Sequence, residues 1–233
     1  KQGVVKLTAT DLDIEIVETV AAETAREGAA TVPAHMLYDI VRKLPDGAQL
    51  QLEQGPDSSR VAITAGRSKF ALQALPAEDF PDLSSGEFGN TFALPAASLK
   101  FLIEKTRFAI STEETRYYLN VIYLHQAKQA DSLRAVATDG HRLAQAQVNL
   151  PVGADGMPGV IVPRKTVLEV VKLMEGEEGD VEVSLSSSKI RFSAGNLVLT
   201  SKLIDGTFPD YERVIPRNNT KVLVTEAKDF AQA

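Results

Sequence analysis

The sequence predicts an α+β fold built from tandem repeats, each repeat carrying two helices packed on antiparallel sheet. Three observations lead there. First, Thr10-Asp11-Leu12, Val32-Pro33, Ala65-Gly66 and Phe80-Pro81-Asp82 recur in the same order as Thr138-Asp139-Gly140, Val162-Pro163, Ala194-Gly195 and Phe208-Pro209-Asp210, 128 to 130 residues later. Second, the stretch after each Val-Pro pair is apolar at helical spacing. Third, the segments between helices alternate polar and apolar residues, as strands with one buried face do.

Taken in order, the chain opens in a strand, Val4-Val5-Lys6-Leu7, and its first helix is predicted over Ala34 to Leu44, burying Leu37, Ile40, Val41 and Leu44. The polar, Gly/Ser-rich link from Pro81 to Asn90 marks a domain boundary. Phe92-Ala93-Leu94 then leads into a helix over Ser98 to Phe108, with Leu99, Leu102, Ile103 and Thr106 on one face and Pro95 before its first turn. The next helix, Arg164 to Met174, is predicted to bury Val167, Leu168, Val171 and Met174. Asp180 to Leu185 and Lys189 to Phe192 alternate around Ser186-Ser187-Ser188 as a hairpin, and Leu197 to Lys202 adds a strand. Val222 to Phe230 repeats the strand-then-helix character of Phe92 to Leu99. The expected domains are therefore 1–86, missing about 37 N-terminal residues by comparison with the second copy; 91–216, complete; and 221–233, the start of a third copy.

Composition narrows the chemistry. Among 233 residues there is no Cys, so thiolate nucleophiles, disulfides and iron–sulfur clusters are excluded. No segment approaches the length of an apolar membrane span and the N-terminus lacks a signal-peptide layout, so a reducing cytoplasm is the expected location. The formal net charge of −6 argues at first against nucleic acid. Its distribution argues the other way: the three helices sum to +5 and everything else to −11. If such units close into a ring with helices inside, the hole is positive and the rim negative.

No His pair at metal spacing, Gly-rich phosphate loop or nucleophile elbow is present. Thr138-Asp139-Gly140-His141-Arg142-Leu143-Ala144 is the nearest to a reactive cluster, and a hydrolase or nuclease using Asp139 and His141 is the rival reading. The first copy keeps only Thr10-Asp11 of it, so the shared part is expected to be a turn in which Asp accepts backbone N–H groups, with a binding site specific to the second copy. Thr115-Arg116-Tyr117-Tyr118-Leu119-Asn120 is the other concentration; it reads either as phosphate- or base-contacting residues or as plain strand. An acidic scaffold with no DNA partner is a third reading.

Arg116-Tyr117-Tyr118-Leu119-Asn120, Ala137 to Ala144, Val160 to Lys165 and Ser201 to Tyr211 together resemble the bacterial replicative sliding clamp, the beta subunit of DNA polymerase III. The resemblance implies DNA-clamp domains whose helices line a ring, and a head-to-tail homodimer that encircles double-stranded DNA without reading its sequence. It implies a processivity factor, an accessory subunit and not an enzyme, needing no cofactor and no metal and having no membrane partner. It implies partners that dock through short linear motifs: the polymerase III alpha subunit, clamp-loader subunits, other polymerases and repair proteins. The peptide-binding pocket would comprise Leu119, Thr138, Gly140, His141, Arg142, Leu143, Pro209, Arg213 and Val214, completed by third-domain residues. DNA contacts would match Tyr117, Tyr118, Arg116, Lys100, Lys105, Arg107, Arg164, Lys165, Lys172 and His35. Val121 departs from the family, which usually carries Gly there, and no role is carried onto Glu113.

Overall fold

The computed structural model describes residues 2–55, 59–83, 85–127 and 130–232. Residues 1, 56–58, 84, 128–129 and 233, which fall in the domain spans or link expected from sequence, lie outside the described residues.

The second copy of the repeat consists of two similar halves. The first runs β6 (Asn90–Pro95), α2 (Ala96–Glu104), β7 (Val121–Ala127), β8 (Ser132–Thr138) and β9 (Leu143–Asn149). The second runs β10 (Val160–Pro163), α3 (Arg164–Leu173), β11 (Asp180–Leu185), β12 (Lys189–Ala194) and β13 (Leu197–Lys202). Each half is thus strand, helix and three-stranded meander, but the leading strands are exchanged: β10 pairs antiparallel with β7, and β6 with β11. Pro95 and Pro163, extended and without a backbone N–H, precede the two helices, where a missing donor costs nothing. α2 and α3 pack on each other and against both sheets. Leu99, Leu102, Val167 and Val170 from the helices meet Leu133 and Ala135 from one sheet and Val181, Phe192 and Leu199 from the other in one apolar core. Each large side chain fully buried in this way contributes about 1.5–3 kcal/mol.

The first copy holds β1 (Gln2–Thr10), β2 (Ile14–Glu23), α1 (Ala34–Val41), β3 (Gln51–Gln54), β4 (Arg60–Ala65) and β5 (Ser68–Gln73). By the repeat offset, α1 corresponds to α3, and the β3-β4-β5 sheet to β11-β12-β13. Here the sequence expectation needs correction. α1 ends at Val41, not Leu44, and buries no residue: Leu37 and Ile40 are half-buried on Val61, Ile63, Leu72 and Ala74, Leu44 is half-buried, and Val41 is exposed. The reason is the missing cover, since among the described residues no second helix faces α1 as α2 faces α3.

β2 joins the second copy directly. Ile14 to Glu18 pair antiparallel with Ser201 to Leu197 of β13, giving a six-stranded sheet ordered β1-β2-β13-β12-β11-β6 across both copies. The polar link is pinned onto it. Glu15 is buried and accepts the Leu83 N–H (3.1 Å), Lys189 donates to the Leu83 and Ser85 carbonyls (2.8 Å each), Gly89 donates to Leu185, and the Arg191 guanidinium lies 4.2 Å from the Phe88 ring centroid.

Three further expectations are corrected. The helix predicted over Ser98 to Phe108 ends at Glu104, followed by a 3-10 turn at Arg107–Ala109; buried Thr106 bonds back to the Leu102 carbonyl at 2.7 Å, a competitor of helix propagation. In α3, Thr166 and Val170 replace Leu168 and Val171 on the buried face: the Thr166 hydroxyl meets Ser201 at 2.6 Å, while Leu168 points to solvent and Val171 is half-buried. Val222 to Thr225 form no strand, having no partner strand, and all described residues of α4 (Ala227–Gln232) are exposed.

Candidate functional site

The site begins at the Thr138 to Leu143 turn joining β8 and β9. Thr138 Oγ1 donates to the Arg142 carbonyl (2.8 Å) and accepts the Gly140 N–H (3.1 Å). Asp139 Oδ1 accepts the N–H groups of His141 and Arg142 (2.9 Å each), and its Oδ2 takes Arg142 Nε (2.9 Å). These bonds, led by the Arg142 backbone N–H, hold the Asp139 carboxyl at about 2. A carboxylate so committed to its own turn is a weak general base at neutral pH. Gly140 adopts φ +90°, and a Cβ there would lie 3.1 Å from Arg116 Nη1, so glycine suits both backbone and neighbour.

The first copy builds the same turn. Thr10 Oγ1 bonds the Ile14 carbonyl (2.8 Å) and the Leu12 N–H (3.0 Å), while Asp11 Oδ1 accepts from Asp13 and Ile14. Leu12 stands at the Gly140 position with φ +78°, a strained geometry for a branched side chain. The outer oxygen of Asp11 is paired with Lys165 of α3, and that bond leads the causes holding the Asp11 carboxyl at about 2. The shared Thr-Asp element is therefore turn-building in both copies, as its sequence led us to expect.

The turn is joined to the Phe208 to Val214 segment through Leu143. Leu143 packs with Val121, Val136, Ile161, Phe208 and Tyr211. Leu119 is buried at the end of a 3-10 turn, Glu114–Leu119, and its carbonyl accepts the Ser111 N–H (3.1 Å). Pro209, Arg213 and Val214 lie exposed on the segment running from buried Phe208 through the 3-10 turn Tyr211–Val214; Arg213 pairs with Asp210 (2.7 Å). Gly140, His141 and Arg142 are exposed on the turn, and Thr138 is half-buried. Arg116 links the two sequence clusters by donating to the Asp139 carbonyl (3.4 Å) while paired with Glu113 (3.2 Å).

Four contributors escaped the sequence reading. Phe108 is exposed, with the Arg142 guanidinium 5.9 Å from its ring centroid. His125, Arg134 and Tyr211 form a hydrogen-bonded cluster behind the Phe208 to Val214 segment. Tyr123 and His125 two residues apart on β7 are the only sequence-level signal for it, because alternate strand residues share a face.

The residues expected at DNA are distributed as follows. Tyr117 and Tyr118 are both exposed, edge to face at 5.8 Å, on the 3-10 turn and not on a strand. Lys105, Arg107 and Arg164 are exposed and Lys100 is half-buried. Lys172 is paired with Glu169 (2.9 Å) and Lys165 with Asp11, so their charges are partly offset within the chain. His35 is exposed on α1. An apolar hollow between helices and sheets, lined by Leu99, Leu102, Ile122, Val167 and Phe192, includes none of the expected pocket residues and is slack in the core. Among the described residues, no three His, Asp or Glu side chains are grouped to hold a metal, and no helix is long and apolar enough to cross a membrane.

Comparison with known proteins gives consistent matches. The model of the DNA polymerase III beta subunit central domain matches residues 93–210, and that of its N-terminal domain matches residues 1–84. A beta sliding clamp of Caulobacter vibrioides is 54% identical over 228 residues, 97% of this chain and 61% of the relative. That of Escherichia coli K12 is 43% identical over 224 residues, 95% of this chain and 59% of the relative. A solved DnaN sliding clamp from Bartonella birtlesii, bound to griselimycin, superposes with a TM-score of 0.93 at 54% identity, covering all of this chain and 63% of that one. The chain thus spans about three fifths of the length of these relatives.

Proposed function

This chain belongs to the DNA polymerase III beta subunit family, the beta sliding clamps, and we propose that it is part of a ring that encircles duplex DNA and tethers the replicative polymerase. The observation that carries the proposal is the joint between repeat copies. β2 and β13 continue one sheet from copy to copy, so repeats add edge to edge and a closed series of them makes a ring. The bodies in this series are residues 1–86, 91–216 and 221–233, the last being the opening of a third domain.

Sliding needs attraction without registry. Lys100, Lys105, Arg107, Arg164, Lys165, Lys172, Arg116 and His35 supply the charge for phosphates, and attraction to phosphates carries no base sequence information. Exposed Tyr117 and Tyr118 offer flat aromatic faces for DNA contact.

Partners dock at the peptide site formed by Leu119, Thr138, Gly140, His141, Arg142, Leu143, Pro209, Arg213 and Val214. Leu143, Pro209 and Val214 supply the apolar surface, and His141, Arg142 and Arg213 the polar rim, a combination suited to short peptides bearing Leu and Phe. Griselimycin, bound by the Bartonella relative, is a candidate ligand of this protein as well. The polymerase alpha subunit, clamp-loader subunits and repair proteins are the partner class, and the cytoplasm is the location.

The test uses the full-length protein loaded on nicked circular DNA. Retention on circles, with rapid release after the DNA is cut, is the expected result. Equal release from circular and linear DNA would reject enclosure.

A further inference from the structure

The expected pocket residues Pro209, Arg213 and Val214 are exposed, and the Arg213 pair with Asp210 lies within their own segment, so neither anchors that segment to the sheets. What holds their segment are the two buried rings beside them, Phe208 and Tyr211. Phe208 stacks on Tyr123 at 4.9 Å, and Tyr123 stacks on His125 at 4.7 Å. The Tyr211 hydroxyl lies 3.0 Å from His125 Nε2 and 3.0 Å from Arg134 Nη1. Arg134 is itself held by Gln147 Oε1 (2.9 Å from Nη2) and by Glu212 (3.3 Å).

We propose that His125 and Arg134 are positioning residues of the peptide site, gripping the Tyr211 hydroxyl and, through it, the Pro209 to Val214 wall. This rests on the peptide-site reading above. Donor counting fixes how the grip works. A guanidinium only donates, so the Tyr211 oxygen accepts from Arg134 and its single proton goes to His125 Nε2. That nitrogen must then carry a lone pair, leaving Nδ1–H to donate to the Gln126 carbonyl at 2.9 Å. The grip requires a neutral imidazole. A protonated ring would present Nε2–H to a hydroxyl already accepting from Arg134 and would add a charge beside that guanidinium.

The surroundings favour the neutral form. Burial is the largest cause of a lowered His125 pKa and Arg134 adds to it, opposed by the Gln126 carbonyl and Glu212. The other titratable groups nearby are Tyr123, whose pKa burial raises, and Tyr211; Asp155 is engaged by the Gln126 side chain and not by the ring. With the folded pKa below 6.5, the grip is complete above that pH and is lost as pH falls through the folded value.

The test measures affinity of the full-length protein for a fluorescein-labelled peptide carrying a Leu-Phe pair, from pH 8 to pH 5. Affinity should hold above pH 6.5 and fall only as pH drops through the lowered His125 value, by about tenfold once the ring is fully protonated, as loss of one net hydrogen bond of positioning would give. Tyr211→Phe should weaken binding by a similar factor at pH 8 and flatten the profile. His125→Ala should do the same, and His125→Gln, whose amide oxygen can accept, should restore affinity without restoring pH dependence. Wild-type affinity and an unchanged profile in Tyr211→Phe and His125→Ala would overturn the proposal. Val214→Ser separates the two levels: if it weakens binding while the other variants do not, positioning alone is wrong; if it also has no effect, the peptide-site reading fails.

Discussion

Replacing Glu15 with Ala should loosen the joint between the two repeat copies. Glu15 sits in β2 opposite Thr200 of β13, is 2% exposed, and accepts the N–H of Leu83, itself 9% exposed. Truncation leaves that donor without its acceptor inside the sheet, a cost of about 1–3 kcal/mol. Loss of one buried methylene adds about 0.8 kcal/mol. Release of a buried carboxylate from its desolvation returns part of this, so the expected net loss is about 2 kcal/mol. Urea unfolding should show a lower midpoint, and hydrogen exchange at the Leu83 amide should accelerate at least about tenfold, the factor that 1.4 kcal/mol of lost protection gives. Glu15→Gln keeps an acceptor in place and should recover most of the protection. If Glu15→Ala leaves both the midpoint and the Leu83 exchange unchanged, the link is not held as described.

Two further outcomes follow from the geometry. Because the Asp139 carboxyl is held at about 2, below its ordinary 3.8, the Thr138 to Leu143 turn should persist from neutral pH to about pH 4 and loosen only as pH falls toward 2. Amide shifts of His141 and Arg142 report this directly, and a midpoint near 4 would contradict it. Leu102→Ala, at a fully buried position of α2 beside an existing apolar hollow, should cost about 2–5 kcal/mol in chemical denaturation; a loss under about 1 kcal/mol would mean that the helix is not packed between the sheets as described.

What the sequence made legible was local or periodic. The β11-β12 hairpin, β13 and the Thr138 turn rest on two-residue alternation and on side chains bonding their own backbone within four residues. The sequence overstates the burial of α1 because an amphipathic stripe states which face can be covered, not whether another element covers it. The exchange of Leu168 for Thr166 has the same origin, since a Ser201 hydroxyl 35 residues away makes a buried threonine acceptable. His125, Arg134 and Tyr211 were illegible for the strongest reason: the hydroxyl meets its two partners across 86 and 77 residues of chain. The pairing of Lys165 with Asp11 joins two separate repeat copies, and inspection of α3 alone leaves that lysine as a free cation.

The exchanged leading strands of the second copy bear on how such a unit comes into being. Asp180 pairs with Pro95, and Val160 with Leu124, so neither half can finish a sheet from its own residues. A nascent chain that has emerged only as far as α3 holds β6 with an unpaired edge and α2 without its packing on β11, and non-local closure of this kind is slow to nucleate. Residues 90–202 should therefore acquire stability in one cooperative step, late in synthesis, with no stable half-built stage to serve as a resting point. Each added copy then offers the next a finished strand edge on which to begin.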